Sequence, residues 1–408
     1  MRNRTTHHHR LRAGRHGRGQ LTLTLVLAGI ALALLLGGCG SGTGGGNSSA
    51  ASSQGSSSVA TTWKAQDASS AGGYATLYSV TFADAAHGWA VGQGKASAGS
   101  LTYIPIVVAT SDGGTAWQAQ DGSSAGSNAG LTSVTFVDAM HGWAVGMDEG
   151  DVTSPPVIIA TTDGGATWEA QDTSGAGVHA WLYSVTFVDA THGWAVGDTP
   201  VDGNLTPVIL ATGDGGATWK AQDASSAGSG ARLYSITFAD VDHGWAAGAV
   251  EESADSGGVT YTPVILATGD GGATWETQDA SGADSGAKLA SVTFTDAAHG
   301  WAAGTNANHD PVILATSDGG ATWKAQDGSS AGGNGGLTSI TFVNATHGWA
   351  VGASTEILAT SDGGATWKAQ DSGGASDSGL YSVTFADAEH GWAVGQSLGA
   401  PVVLAIGK

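Results

Sequence analysis

The chain holds a single cysteine among 408 residues, so no disulfide can form within it and packing must supply its stability. Basic side chains are also scarce, at 14 Lys and Arg against 35 Asp and Glu. Six of those 14 are Arg2, Arg4, Arg10, Arg12, Arg15 and Arg18, which leaves 8 basic residues against 35 acidic ones and a net of −27 for the rest. Such a body lacks the positive footprint that phosphate binding requires, which excludes nucleic acid as a partner. An anionic membrane surface would repel it as well. Long apolar runs are limited to Leu21–Leu36, shorter than the roughly 20 residues of a membrane-spanning helix. No composition shift marks an internal boundary after residue 58, and no helical period is found there.

The start of the chain reads as an export signal. An arginine-rich stretch without acids precedes the apolar run, and small residues follow it. Leu36-Gly37-Gly38-Cys39 resembles the lipobox of bacterial lipoproteins. That resemblance implies that residues 1–38 are removed and that Cys39 becomes an acylated N-terminus on the extracytoplasmic face. His7, His8 and His9 would leave with the signal and make no metal site. Residues 39–58 form a Ser/Gly-rich tether with an r.m.s. reach of about 25 Å. Lipid, not charge, would hold the body at the membrane.

Residues 59–408 repeat one pattern. His-Gly-Trp occurs at His87, His141, His192, His243, His299, His347 and His390. Ahead of each lies a β-type run such as Ser79-Val80-Thr81-Phe82, with Val80 and Phe82 on one face. Behind it come Trp-Ala-Val-Gly, a variable segment, Val-Ile-Leu-Ala-Thr, an Asp-Gly-Gly turn and a short strand ending in Gln-Asp. Four strands in about 50 residues predict an all-β, seven-bladed β-propeller of four-stranded antiparallel blades.

Thr-x-Asp-Gly-Gly-x-Thr-Trp resembles the Asp-box (BNR) hairpin, which joins the third and fourth strands of a blade. It stands at Asp163, Asp214, Asp270, Asp318 and Asp362, and at Asp112 with Thr and Ala exchanged before Trp117. Together with His-Gly-Trp-Ala-Val-Gly it is similar to the photosystem II stability/assembly factor type of propeller. Six boxes serve seven repeats. The chain ends Pro401-Val402-Val403-Leu404-Ala405-Ile406-Gly407-Lys408, which matches a third strand, whereas Ala60-Thr61-Thr62-Trp63-Lys64-Ala65-Gln66-Asp67 near its start matches a fourth. One blade is therefore predicted to combine three strands from the C-terminus with one from the N-terminus, which pairs the open edges.

Repetition assigns the conspicuous residues to structure. The box Asp is expected to bond its own glycine-rich turn, its two glycines to take positive φ, and its Trp to fill the wedge between blades. Each His is expected to brace its turn by bonding the Asp three residues earlier, because one residue per blade cannot gather at one metal ion. The Gln-Asp pairs are read as strand-end caps, with a polar ring at the channel mouth as the alternative. No cofactor and no metal are expected.

Function is sought where the repeats disagree. The Asp-box and His-Gly turns share one face, and the loops after second and fourth strands share the other. From the Trp of His-Gly-Trp to the box Thr, the chain takes 21 residues between Trp89 and Thr110 but 11 between Trp349 and Thr360. These binding-face loops carry Asp148, Glu149, Asp151, Asp198, Asp202, Glu251, Glu252 and Asp255, along with Trp181, the one tryptophan outside the pattern. The acids are read as solvated loops, with recruitment of calcium or a cationic partner as the alternative.

Asp-box propellers include sialidases, which grip a carboxylate with several arginines. Beyond the signal this chain has Arg232 alone, which argues against that activity. No carboxylate pair, nucleophile elbow or phosphate loop stands out. The sequence therefore predicts a monomeric, non-catalytic platform, lipid-anchored at the cell envelope and binding an envelope or membrane protein. The alternative is a surface carbohydrate binder or a glycoside hydrolase or sialidase-like propeller. The assembly-factor resemblance implies a basic, arginine-rich patch that this sequence lacks.

Overall fold

The computed structural model describes residues 62–407 apart from 96, 98, 149–153, 177–178, 200–204, 254–258, 330–334, 355 and 376–377. The expected signal, Cys39, the tether, Glu149, Asp151, Asp202 and Asp255 lie outside those residues.

The β-branched runs and Gly/Asp turns form seven antiparallel sheets of four strands. Blade 1 comprises Thr76–Phe82, Gly88–Lys95, Tyr103–Thr110 and Gln118–Gln120. The first strands of blades 2 to 6 are Ala129–Phe136, Trp181–Phe187, Ala231–Phe238, Lys288–Phe294 and Leu337–Phe342. Blade 7 consists of Ser378–Phe385, Gly391–Ser397, Ala400–Ile406 and, from the other end of the chain, Lys64–Ala65. Lys64 pairs with Ala405 and Ala65 with Leu404, so the predicted two-ended blade is present. Trp63, Leu404 and Ile406 share one core cluster.

First strands of adjacent blades touch in a closed ring around the axis, and fourth strands form the rim. An inward strand edge leaves backbone N–H groups without a ladder partner. A serine from the preceding blade supplies one acceptor at each seam. Ser79 takes the Val134 N–H, Ser133 that of Val185, Ser184 that of Ile236 and Ser235 that of Val292, at 3.1–3.3 Å. Ser291, Ser339 and Ser382 complete the circle to Ile340, Val383 and Val80.

Each seam between blades is an aromatic sandwich. Trp89 stacks on Phe136 of the next blade at 3.5 Å, and Trp168 meets the edge of that ring at 5.9 Å. The same trio recurs at every seam, including Trp349, Phe385 and Trp63. Both tryptophan types thus fill the wedge, where the sequence reading assigned only the box Trp. Six stacked indoles also donate to a box glycine carbonyl of the next blade at 2.8–2.9 Å, as Trp89 does to Gly164 and Trp245 to Gly319. The corresponding position for Trp349 falls at Val59, outside the described residues. A groove of about 750 Å³ lies at that seam, lined by Trp349, Lys368, Gln370, Phe385 and Ile406 among others.

The Asp-box works through threonines. Thr161 Oγ1 donates to Asp163 Oδ1 and accepts the Gly165 N–H, while Thr167 gives both its N–H and its hydroxyl to Asp163. As expected, the carboxylate accepts from the backbone of its own turn, at the Thr167 N–H, and the two glycines take positive φ, 73° and 90°. The His turn follows expectation: His87 Nδ1 meets the Asp84 carboxylate at 2.9 Å, and the other turns repeat the contact, with Asn344 serving His347. Gly113 donates to Ala86 O across the two turns of one blade, which places them on a shared face. The Gln-Asp aspartates cap the short turn after the fourth strand, as Asp67 does for Ser69 N–H, and they stand at the rim, away from the channel.

Candidate functional site at the channel mouth

Every first strand carries a β-bulge one residue after its buried leucine. A bulge re-aims the extra side chain. The bulged residues are Tyr78, Thr132, Tyr183, Tyr234, Ala290, Thr338 and Tyr381, and the four tyrosines are half-buried around the axis. Tyr78 packs against Tyr381 and Tyr183 against Tyr234, both at 5.7 Å. Thr132 and Thr338 instead bond the next blade, giving their hydroxyls to Leu182 O and Leu380 O at 2.7 Å.

The residue before each buried leucine differs from blade to blade: Thr76, Gly130, Trp181, Arg232, Lys288, Gly336 and Gly379. So does its neighbour at the end of the second strand: Gln93, Met147, Asp198, Ala249, Thr305, Ala353 and Gln396. These positions ring the channel on the face opposite the Asp-box turns. The wall between them is held by glycines. A Cβ on Gly92, Gly197 or Gly248 would strike the backbone carbonyl of Thr76, Trp181 or Arg232 across the bulge.

Charge collects on one half of this mouth. Asp198 is fully buried in the second strand of blade 3, Gly193–Thr199. Its Oδ2 accepts the Tyr183 hydroxyl at 3.0 Å and lies 3.3 Å from Arg232 Nε, which stands 3.4 Å from Glu251. Lys288 lies over the Tyr234 ring at 4.6 Å. Burial pushes the Asp198 carboxyl up, and Arg232 and the Tyr183 hydroxyl offset part of that rise. Burial also raises Tyr183, with Asp198 adding to it, and lifts Tyr234 to about 12. Lys288 is pushed down by burial while Glu251 works the other way. Tyr183 and Tyr234 are thus neutral at physiological pH, the Tyr183 hydroxyl donates to Asp198, and the mouth offers the Tyr234 hydroxyl, two cations and aromatic faces.

In the other half, blades 7 to 2, none of the described ring positions is charged, and Lys95 and Asp148 stand further along their second strands. Thr76 donates to Gln396 at 2.8 Å, and Gln396 Nε2 donates to the Tyr381 hydroxyl at 3.0 Å. Tyr78, Gln93, Thr132 and Met147 enclose a cavity of about 240 Å³ beside them.

The acidic residues picked out in the sequence separate here. Asp198 and Glu251 belong to the mouth network and are not the solvated loop acids expected. Glu252 is exposed on its strand, and Asp148 ends a strand where it accepts the Ser154 hydroxyl at 3.1 Å. Trp181 opens the first strand of blade 3, opposite Asp198, and is not a loop residue. Among the described residues no group of three or more His, Cys, Asp or Glu is placed to hold a metal ion. Sequence reasoning missed the tyrosines because strict alternation has no place for a bulge. The signal available was the residue between Leu and Ser in each first strand, which varies where its neighbours do not.

The family model described as photosynthesis system II assembly factor YCF48 matches residues 56–176 and 329–400. A solved structure of YCF48 bound to a D1 peptide is similar at TM-score 0.59 and 20% identity, covering 85% of this chain and 97% of its own. YCF48 from Cyanidioschyzon merolae gives 0.58 and 20%, over 84% and 98%. The GH74 xyloglucanase of Xanthomonas campestris gives 0.52 and 14%, over 78% of this chain and half of its own length. No curated protein sequence matches.

Proposed function

We propose that this Asp-box propeller, similar to the photosynthesis system II assembly factors, is a non-catalytic platform that binds a peptide segment of a client protein at its channel mouth. The observation that carries the reading is where the blades differ. Seven near-identical units diverge at the ring of positions around Arg232, Lys288 and Trp181, and the paired, half-buried rings of Tyr183 and Tyr234 stand beside them. A similar propeller was solved with a peptide bound, which supports the same use here. Export and anchoring through Cys39 complete the reading, with the client an envelope or membrane protein.

A carbohydrate-processing reading finds less support. Asp198 and Glu251, the described carboxylates in the charged half of the mouth, are both engaged by Arg232. A glycoside hydrolase needs one carboxyl free to donate a proton and another to attack or activate water. Affinity capture with the full chain, beside a glycan panel, separates the readings. Reproducible co-purification of a protein that Lys288→Glu abolishes supports the platform. Glycan binding without a protein partner overturns it.

A further inference from the structure

The hairpin between the second and third strands of blade 7 turns on Leu398 and Gly399, both at positive φ, 49° and 84°. Such two-residue turns favour Asn-Gly or Asp-Gly, since a branched, bulky residue in the left-handed region is strained. Leu398 gains no packing in exchange, because it is 98% exposed. Stability alone therefore gives no reason for leucine at this site, and strain that persists without internal benefit points to use. Its neighbour Gly399 lines a cavity of about 310 Å³ between blades 7 and 1, walled by Tyr74, Lys95, Tyr103 and Gln396 among others. Tyr74 is half-exposed and Leu101, two residues before Tyr103, is 92% exposed. Lys95 lies over the Tyr103 ring at 5.2 Å. The cavity also opens on Thr76, whose bond to Gln396 forms the rim of the channel directly above the Tyr78–Tyr381 pair.

We infer that this cavity receives a bulky apolar side chain of the peptide held across the channel mouth, with Leu398 at its lip. The inference rests on the peptide-binding reading above and adds the anchor residue. Three observations select that occupant. The cavity is continuous with the mouth, so one extended chain can serve both. Its walls are aromatic and amide, uncharged except for Lys95, in a body that is otherwise strongly acidic. Of the exposed large apolar residues described, Tyr74 lines this cavity and Leu101 and Leu398 stand beside its lining residues, whereas Met140, Val241 and Val259 are scattered on other blades, and a lipid surface is met by a broad apolar face.

The test pans a phage-displayed random dodecapeptide library against the full chain and against the Leu398→Asn/Tyr74→Ser variant. Enriched peptides are expected to carry Leu, Ile, Phe or Met at a fixed position. Synthetic copies should bind the variant about tenfold more weakly, the effect of losing one buried apolar side chain. Leu398→Asn alone should unfold no earlier than the parent, which separates docking from a structural role. Peptides that enrich without an apolar preference, or that bind the variant equally well, overturn this inference and leave the platform standing. Failure to enrich any peptide overturns both. Sedimentation with phosphatidylcholine/phosphatidylglycerol vesicles that Leu398→Asn abolishes would assign the patch to lipid and also overturn it.

Discussion

Single carboxylates do two different jobs in this molecule, and acid separates them. Box aspartates such as Asp318 and Asp362 are exposed yet held low by hydrogen bonds: Thr322 keeps Asp318 down to about 2, and Thr366 does the same for Asp362. A carboxylate with a folded pKa below its unfolded value of 3.8 stabilises the native state in full above that value. The contribution is lost as pH falls through about 2. Asp362→Asn should therefore flatten the acid limb of the stability curve below about pH 4, as followed by tryptophan fluorescence. Asp198 is the opposite case, buried and dependent on Arg232. Arg232→Ala strands it, at a cost of about 3 kcal/mol in urea unfolding. Adding Asp198→Asn should recover much of that loss, because the orphaned charge is gone. Equal losses in the single and double variants would show that Arg232 acts by packing alone.

At the scale of the element, the repeat made most of the structure legible. His-Gly-Trp and Asp-Gly-Gly mark both turns of one face, and alternation of Val80 and Phe82 fixes which side of the strand is buried. Two features escaped it. The bulge at Tyr78 inserts a residue that no period announces, and it alone sends the tyrosines to the axis. The serine of Ser-Val-Thr-Phe looks like an ordinary polar strand residue until the neighbouring blade's orphan N–H is placed beside it. The box at the cut shows the reverse. Where six boxes have two glycines, the seventh has Val59 and Ala60, which the sequence displays and which lie outside the described residues. Trp245→Phe removes an indole bond to Gly319 and should lower stability by about 1 kcal/mol against the parent, measured as urea midpoints. Indistinguishable midpoints would mean that the box carbonyl contributes nothing to the seam.

The whole ring depends on a strand two residues long. Lys64–Ala65 closes blade 7, and the completely buried Trp63 beside it fills the last wedge against Phe385. A chain starting at residue 68 should unfold well below one starting at 59, since deletion of a buried Trp costs about 3–5 kcal/mol before any lost pairing is counted. Ring closure also fixes the mouth, because the mouth is assembled from the first strands of all seven blades and belongs to none of them. The most direct measurement places the photo-cross-linker p-benzoylphenylalanine at Tyr234, in the mouth, and separately at Thr274, on the box face, in the full chain within its own cells. Cross-links to one client protein from position 234 and none from 274 are the predicted result. Client cross-links from the box face, with the mouth silent, would contradict the account.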